Sequence, residues 1–413
     1  MSMSRQKRDE LLVGLDIGTN KVCVVVGERN DEESFDIVGI GSATSHGVTK
    51  GVITDLQKTA RAIQQAVKEA EMMAGCHIRE VVTNISGRYI QGENNRGGIP
   101  LRNNEVRESD IERVLEGARA IRLDQDREIL HLLPQYYTVD EQQGIQKPLG
   151  LSGNRLEVET HLVTTTSANL QNIMTCLEMS NLTCRGIYFD GLASAEAVLT
   201  QDEREMGVVL VDIGAGTTDL VLVSNGSVVH TAVLPIGGDH ISNDIALGLR
   251  AATLEAERIK ISHGCAKTSL VRHDETIHVP LQSGRRPKEL NRRVLSDIIE
   301  PRLEELFHMI KETVVASGMD RLLTFGIVLT GGTTHMAGIS ELAEEVTGLS
   351  VRRGNAHGLT GLSDVVRSPI YSTSVGLIQL TIKDSAQTGS ALKQGRWFSS
   401  LWKRTRNWFS EYF

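Results

Sequence analysis

The sequence predicts an α/β fold of two lobes built on one plan, a duplicated sheet-and-helix core closing on a cleft. Three stretches carry that prediction. Val208 to Val223 reads as strand, glycine turn, strand, with Asp212-Ile213-Gly214-Ala215-Gly216-Thr217-Thr218 between two apolar, β-branched runs. Leu11 to Val26 repeats the design with Asp16-Ile17-Gly18-Thr19-Asn20-Lys21 at its turn. Ile327-Val328-Leu329-Thr330 runs into Gly331-Gly332 and then a helical pattern from Met336 to Val346. The two hairpins stand a whole domain apart, too far for a short repeat array.

These stretches share a chemistry. Glycine has no Cβ, so backbone N–H groups in such turns approach a phosphate closely and form an anion-binding concavity. Thr217 and Thr218 add hydroxyl donors, and the Gly331-Gly332 turn brings a helix N-terminus beside a ligand. Asp16 and Asp212, each at the mouth of a strand, are placed to hold the hydrated Mg²⁺ that accompanies a nucleotide phosphate. Two such halves suggest a nucleotide clamped between them. An ordinary glycine-turned hairpin explains one copy; the repetition disfavours that explanation.

At 413 residues the chain suffices for two or more domains with ample cores. A net charge of -8 argues against nonspecific nucleic-acid binding. Cys23, Cys76, Cys176, Cys184 and Cys265 are odd in number and form no CxxC pair. That pattern argues for a reducing compartment and against a zinc site. No signal-peptide pattern opens the chain, and no stretch approaches the ~20 apolar residues that span a bilayer. A cytosolic location is expected.

In order along the chain, Phe35 to Ile40 continues the first sheet, and Asp55 opens an amphipathic helix with Leu56, Ala60, Ile63, Ala66, Val67 and Ala70 on one face. Val81 to Gly87 is the next strand. From Tyr89 to Thr160 the character changes: Gln91 to Pro100 is polar and glycine-rich, a helix is expected from Ser109 to Ile121, and strand-like pieces lie near Ile129 and Tyr136. This reads as an inserted helix-and-strand subdomain whose charged surface is either ordinary solvation or a contact face. His161 to Thr166 returns to strand, and helices follow from Ser167 to Ser180 and from Asp190 to Leu199. Past the second hairpin, helices are expected from Gly237-Gly238 to Leu249, over Leu254 to Lys260 with Glu257 and Lys260 one turn apart, and from Leu290 to Ser317. Thr276 to Val279 is a strand. Arg285 and Arg286 lie in a loop, either solvated or a contact between copies. Lys383 to Gly395 reads as a flexible linker.

All three tryptophans fall in the last 17 residues. On a helical wheel Trp397, Phe398, Leu401, Trp402, Trp408, Phe409 and Tyr412 fall within an arc of about 140°. Arg396, Lys403, Arg404 and Arg406 lie opposite. An aromatic face opposed by a basic one fits a helix lying in the interface of an anionic membrane. The plainer alternative is a helix packed on its own domain or a partner.

The three motifs in this order resemble the actin-like ATPase superfamily. Segments such as Gly14-Leu15-Asp16-Ile17-Gly18-Thr19, Asn84-Ile85-Ser86-Gly87, Gly237-Gly238-Asp239-His240-Ile241 and Leu329-Thr330-Gly331-Gly332, with the insertion and the tail, resemble the bacterial FtsA cell-division family over essentially the whole chain. The resemblance implies a first core lobe at 1–86 and 161–200 and an inserted subdomain at 87–160. It implies a second core lobe at 201–236 and 325–381, a smaller subdomain at 237–324, a linker at 382–395 and a membrane helix at 396–413. It implies ATP bound with Mg²⁺ by Asp16, Gly18, Thr19, Asn20, Lys21, Asp212, Gly214, Ala215, Gly216, Thr217 and Thr218, with Gly238, Glu257, Lys260, Gly331, Gly332 and Met336 on the adenosine side. Family members of other branches carry Glu-Pro where this chain has Asp190-Gly191, and Glu196 resembles a water-positioning residue. Asp190 and Glu196 are therefore the catalytic candidates, with slow or absent turnover. It further implies self-assembly, recruitment of later division proteins, and binding of the C-terminal tail of tubulin-like FtsZ near Ile298, Glu300, Arg302 and Glu304. The setting would be the cytoplasmic face of the cell membrane at the division site. A pilus-assembly scaffold of the superfamily is the nearest alternative and a small-molecule kinase a remoter one; a chaperone ATPase would need a peptide-binding domain after the core.

Overall fold

The structure, a computed structural model, describes residues 11–30, 35–279 and 288–388. The chain opens with the hairpin β1 (Leu11–Ile17) and β2 (Lys21–Arg29), then β3 (Phe35–Thr44), a short pair β4 (Val48–Thr49) and β5 (Val52–Ile53), α1 (Leu56–Ala74) and β6 (Glu80–Ile85). The inserted region holds β7 (Gln91–Pro100), α2 (Glu108–Arg119), β8 (Arg127–Val139), β9 (Gln142–Ile145) and β10 (Arg155–Thr166). α3 (Ser167–Met179), β11 (Thr183–Phe189), α4 (Asp190–Val198) and α5 (Gln201–Met206) lead to β12 (Val208–Ile213), β13 (Thr218–Ser224) and β14 (Ser227–Leu234). Then follow α6 (Gly238–Leu249), α7 (Thr253–His263), β15 (Thr276–Val279), β16 (Lys288–Asn291) and α8 (Arg292–Ala316). The chain continues with β17 (Ile327–Thr330), α9 (Ile339–Thr347), β18 (Val351–Arg353), β19 (Leu359–Gly361), α10 (Ser363–Val366) and α11 (Ser372–Thr388).

The duplication is visible in the sheets. β1 pairs antiparallel with β2 and parallel with β6; β12 pairs antiparallel with β13 and parallel with β17. The first sheet runs β11-β6-β1-β2-β3-β19 and the second β14-β13-β12-β17-β18. β12 and β13 are buried on both faces along their whole length, which is why their sequence is almost unbroken Val, Leu and Ile rather than alternating. α1 covers the first sheet. The Asp55 side chain accepts from the Lys58 N–H to cap its start, Gly75 ends it in the left-handed conformation, and the Ala60, Ile63, Ala66, Val67 and Ala70 stripe is buried. Each fully buried aliphatic side chain there contributes about 1.5–3 kcal/mol.

The insertion forms its own four-stranded sheet, β7-β10-β8-β9, over a small separate core with α2. The Gln91–Pro100 segment is a full strand along β10; its polar, glycine-rich sequence hides this because most of its side chains remain partly exposed. β10 is continuous from Arg155 to Thr166, so no break falls at residue 160. The insertion rests on β14 through a polar seam. His161 lies between Asn94 and Thr231, and Gln135 and Asn94 donate to the carbonyls of Val228 and Val229.

Three expectations need correcting at the C-terminal side. β19 pairs with β3, and α11 packs on α4 and β1, so from Leu359 onward the chain returns to the first lobe rather than finishing the second. α11 is helical to Thr388, so residues 382–388 are not a flexible linker. It is anchored near its end by Tyr188, which donates to Asp384, and by a Lys383–Glu196 ion pair. Last, Gly331-Gly332 leads into a 3₁₀ turn, and the α-helix begins only at Ile339. The tail residues Trp397, Phe398, Leu401, Trp402, Lys403, Arg404, Arg406, Trp408 and Phe409, and the Arg285-Arg286 loop, lie outside the described residues.

The α11–α4 contact is close enough to test. A Cβ on Gly376 would come within 1.7 Å of the Ala193 carbonyl oxygen, a backbone atom that cannot swing aside. Gly376→Ala is expected to lower stability by about 2–3 kcal/mol in urea unfolding, and an unchanged midpoint would contradict this packing.

Candidate functional site

The turns of both hairpins and the Gly331 turn converge on one cavity of about 850 Å³ between the lobes. Its wall from the first lobe is Asp16, Gly18, Thr19, Asn20 and Lys21; from the second, Asp212, Gly214, Ala215, Gly216 and Thr217. Gly238, Glu257, Lys260, Gly331, Gly332 and Met336 close the far side. The second-lobe turn is braced from behind: Gly238 N–H donates to the Gly214 carbonyl at 3.0 Å, Asp239 N–H to Ala215 at 2.8 Å, and Thr333 Oγ1 to Gly214 at 3.0 Å. Gly331 has φ +89, and a Cβ there would stand 2.3 Å from Asp212 Oδ1, so this position admits only glycine beside the carboxylate. Across the mouth, Asn20 Nδ2 donates to Asp239 Oδ1 at 2.7 Å and ties the lobes together. Lys260 Nζ donates to the Gly238 carbonyl at 2.9 Å and to Glu257 at 2.7 Å. Lys21 Nζ stands 4.3 Å over the Tyr371 ring.

Carboxylates dominate the floor. Asp16, Asp190, Asp212 and Asp219 all line the cavity. Burial, then Asp190 and Asp212, push Asp16 well above the usual carboxylate range against the pull of Lys21. Burial raises Asp190 to about 6, opposed by Thr373 and Asn84. Burial and the neighbouring Asp190 raise Asp212 to about 7, although Ser194 Oγ donates to it. Burial and Asp190 likewise hold Asp219 high. Asp190 Oδ1 is buried with no hydrogen-bond partner. Four acidic groups without a cation among them form a site that favours a positive charge. Among the described residues no three acidic, His or Cys groups are arranged to ligate a metal directly.

Two expected residues stand elsewhere. Thr218 is fully buried and its hydroxyl donates to the Ile236 carbonyl, because it already belongs to β13 rather than the turn. Glu196 is paired with Arg204 and Lys383 away from the cavity. Six residues on from Asp190, it lies roughly 9 Å down the helix axis on another face. Of the expected partner group on α8, Ile298 is half-buried, Glu300 accepts from the Thr268 N–H, and Arg302 is held by both oxygens of Asp244; Glu304 is exposed.

Sequence reasoning missed Asp219, Asn84, Ser86, Ser194 and Thr373. Asp219 had a signal: a tight hairpin from Asp212 places it directly opposite, as the Asp212↔Asp219 register shows. Like charges facing across a hairpin are unfavourable and so point to a third party between them. The other four come from β6, α4 and α11, whose approach depends on long-range packing.

Fold and cleft together define an actin-like two-lobed protein. Solved structures of that shape agree: the PilM-PilN type IV pilus biogenesis complex (TM-score 0.64, 18% identity, 90% of this chain and 98% of that one) and MreB5 of Spiroplasma citri bound to ADP (TM-score 0.52, 14% identity, 92% and 98%). A family model of the cell division protein FtsA matches residues 209–376, and one of the SHS2 domain inserted in FtsA matches residues 87–164. The cell division protein FtsA of Pseudomonas aeruginosa is 44% identical over 96% of this chain and 95% of its own. That of Escherichia coli K12 is 39% identical over 98% of each. The chain belongs to the FtsA family of cell division proteins.

Proposed function

We propose that the cleft binds ATP with Mg²⁺ and that the chain, assembled in copies on the cytoplasmic face of the cell membrane, tethers FtsZ filaments there and helps recruit later division proteins. The observation that carries the nucleotide reading is the convergence of two glycine turns and the Gly331 turn on one acid-floored cavity, of a size suited to a cofactor. The backbone amides around Gly18, Gly214, Ala215, Gly216 and Gly332, with Thr19, Thr217 and Lys21, would hold the phosphates. Gly238, Glu257, Lys260 and Met336 would face the adenosine. Asp16 and Asp212, with Asp190 and Asp219 beside them, would hold Mg²⁺ through its water shell, and the cation would neutralise both phosphate and floor. The ADP-bound MreB5 neighbour supports nucleotide in this fold.

Asp190 is the carboxylate left to orient a water, its Oδ1 being unpartnered. Glu196 is withdrawn from that role by its ion pairs. Turnover is accordingly slow or absent, and the nucleotide acts as a switch between assembly states. The insertion forms a separate lobe for neighbours, α8 with Ile298, Glu300, Arg302 and Glu304 supplies the FtsZ-tail surface, and the aromatic-basic tail binds anionic lipid. Titration of the full chain with fluorescent ATP tests the first step. Saturable, Mg²⁺-dependent binding is expected; no binding in the presence of Mg²⁺ would sink the nucleotide reading.

A further inference from the structure

Asn84 and Ser86 are polar, only 2% and 5% exposed, and stand two residues apart at the end of β6, so both project to one side. Their bonds are specific. β6 runs parallel to β1 with Leu15 opposite Thr83, which brings Asn84 alongside Asp16. Asn84 Oδ1 accepts from the Ile17 N–H at 2.7 Å. That acceptor role fixes which way the amide faces, leaving Nδ2 to donate to Asp16 Oδ1 at 2.8 Å. Ser86 reaches across to the other lobe, its hydroxyl donating to Asp219 Oδ1 at 2.6 Å in a buried contact.

We infer that Asn84 and Ser86 are positioning residues: they hold one carboxylate from each lobe, Asp16 and Asp219, at a fixed span, and that span sets the Mg²⁺-dependent grip of the cleft on nucleotide phosphate. The inference rests on the nucleotide reading above. The physical case is that carboxylates on an acidic floor repel one another and would rotate apart toward solvent. A neutral donor on each carboxylate removes that freedom without adding charge, and leaves the second oxygen of each free to accept from a hydrated cation. One strand end carries both donors, so the two acids are spaced by β6 rather than by the lobes' own hairpins. A purely architectural role would also explain buried bonds, and it predicts something different: loss of either donor would weaken the fold or the cleft irrespective of metal.

The test uses the full chain and its Asn84→Ala and Ser86→Ala variants, each titrated with fluorescent ATP in Mg²⁺ and again in EDTA, with thermal unfolding run alongside. The expected result is that the gain in affinity from Mg²⁺ falls about tenfold or more in each folded variant, the loss usual when the partner of a metal-organising ligand is removed. Affinity in EDTA should stay as in the unaltered chain. A Mg²⁺ gain that is unchanged, or affinities that fall equally with and without metal, would overturn the inference. Asn84→Ala also orphans the Ile17 N–H and can fail to fold; Ser86→Ala, which removes a single oxygen, then decides. If the unaltered chain itself gains nothing from Mg²⁺, the fault lies with the nucleotide reading.

Discussion

Asp212→Asn is expected to stabilise the metal-free chain at neutral pH and, by the same change, to reduce Mg²⁺-dependent ATP binding below detection. The sign follows from the raised carboxyl: about 7 in the folded chain against an ordinary 3.8. Below pH 4 both folded and unfolded chains keep the proton and the group contributes no penalty. Between pH 4 and 7 the unfolded chain releases a proton that the folded chain retains, and above 7 the folded chain must bury the charge. The penalty therefore grows as pH rises through this window and is fully present above it, at on the order of 2–4 kcal/mol. Asparagine preserves shape and can still accept from Ser194 while removing the charge. Thermal unfolding at pH 4 should show little difference between the two chains, and at pH 7.5 the variant should melt higher. Adding Mg²⁺-ATP should raise the melting point of the unaltered chain alone. A variant less stable at pH 7.5 would mean that Asp212 is paid for by contacts other than a missing cation.

Removing the aromatic-basic tail should have the second large effect. Truncation after Gln394, or Trp408→Glu alone, is expected to abolish binding to anionic vesicles while ATP binding in the cleft is unchanged. The tail's four basic residues on one face contribute on the order of 1 kcal/mol each near an anionic surface. Its three tryptophans supply most of the apolar contact, and a carboxylate on that face both loses area and repels the lipid. The two outcomes separate a lipid helix from one packed on its own domain, since loss of an intramolecular packing helix would lower the melting point.

Several parts of this molecule were legible from local sequence because their causes are local. A strand-glycine-strand hairpin brings its own turn to the cleft, Asp55 and Gly75 bound α1, and the burial stripe of α1 repeats at helical spacing. What was not legible depends on distance or direction. β19 and α11 return to the first lobe through pairings with β3, β1 and α4 that lie hundreds of residues back, and Gly376 against Ala193 is the contact that fixes them. Glu196 follows Asp190 on one helix, yet the turn of that helix carries it to Lys383 and out of the site. Thr218 shows the same effect in a strand: one residue past Thr217, alternation sends its side chain inward to Ile236. Gln91 to Pro100 gave no strand signal because polar side chains on both of its faces remain accessible.

The account's central claim is a nucleotide-binding membrane tether for FtsZ. It is tested most directly by co-sedimentation of purified FtsZ polymers with anionic vesicles, with the full chain, with the chain truncated after Gln394, and with neither, each in the presence and absence of Mg²⁺-ATP. The account predicts that FtsZ pellets with vesicles only when the full chain is present. The truncated chain should leave FtsZ in the supernatant although its cleft is intact. A full chain that itself remains in the supernatant, or FtsZ that pellets equally well with the truncated chain, would contradict it.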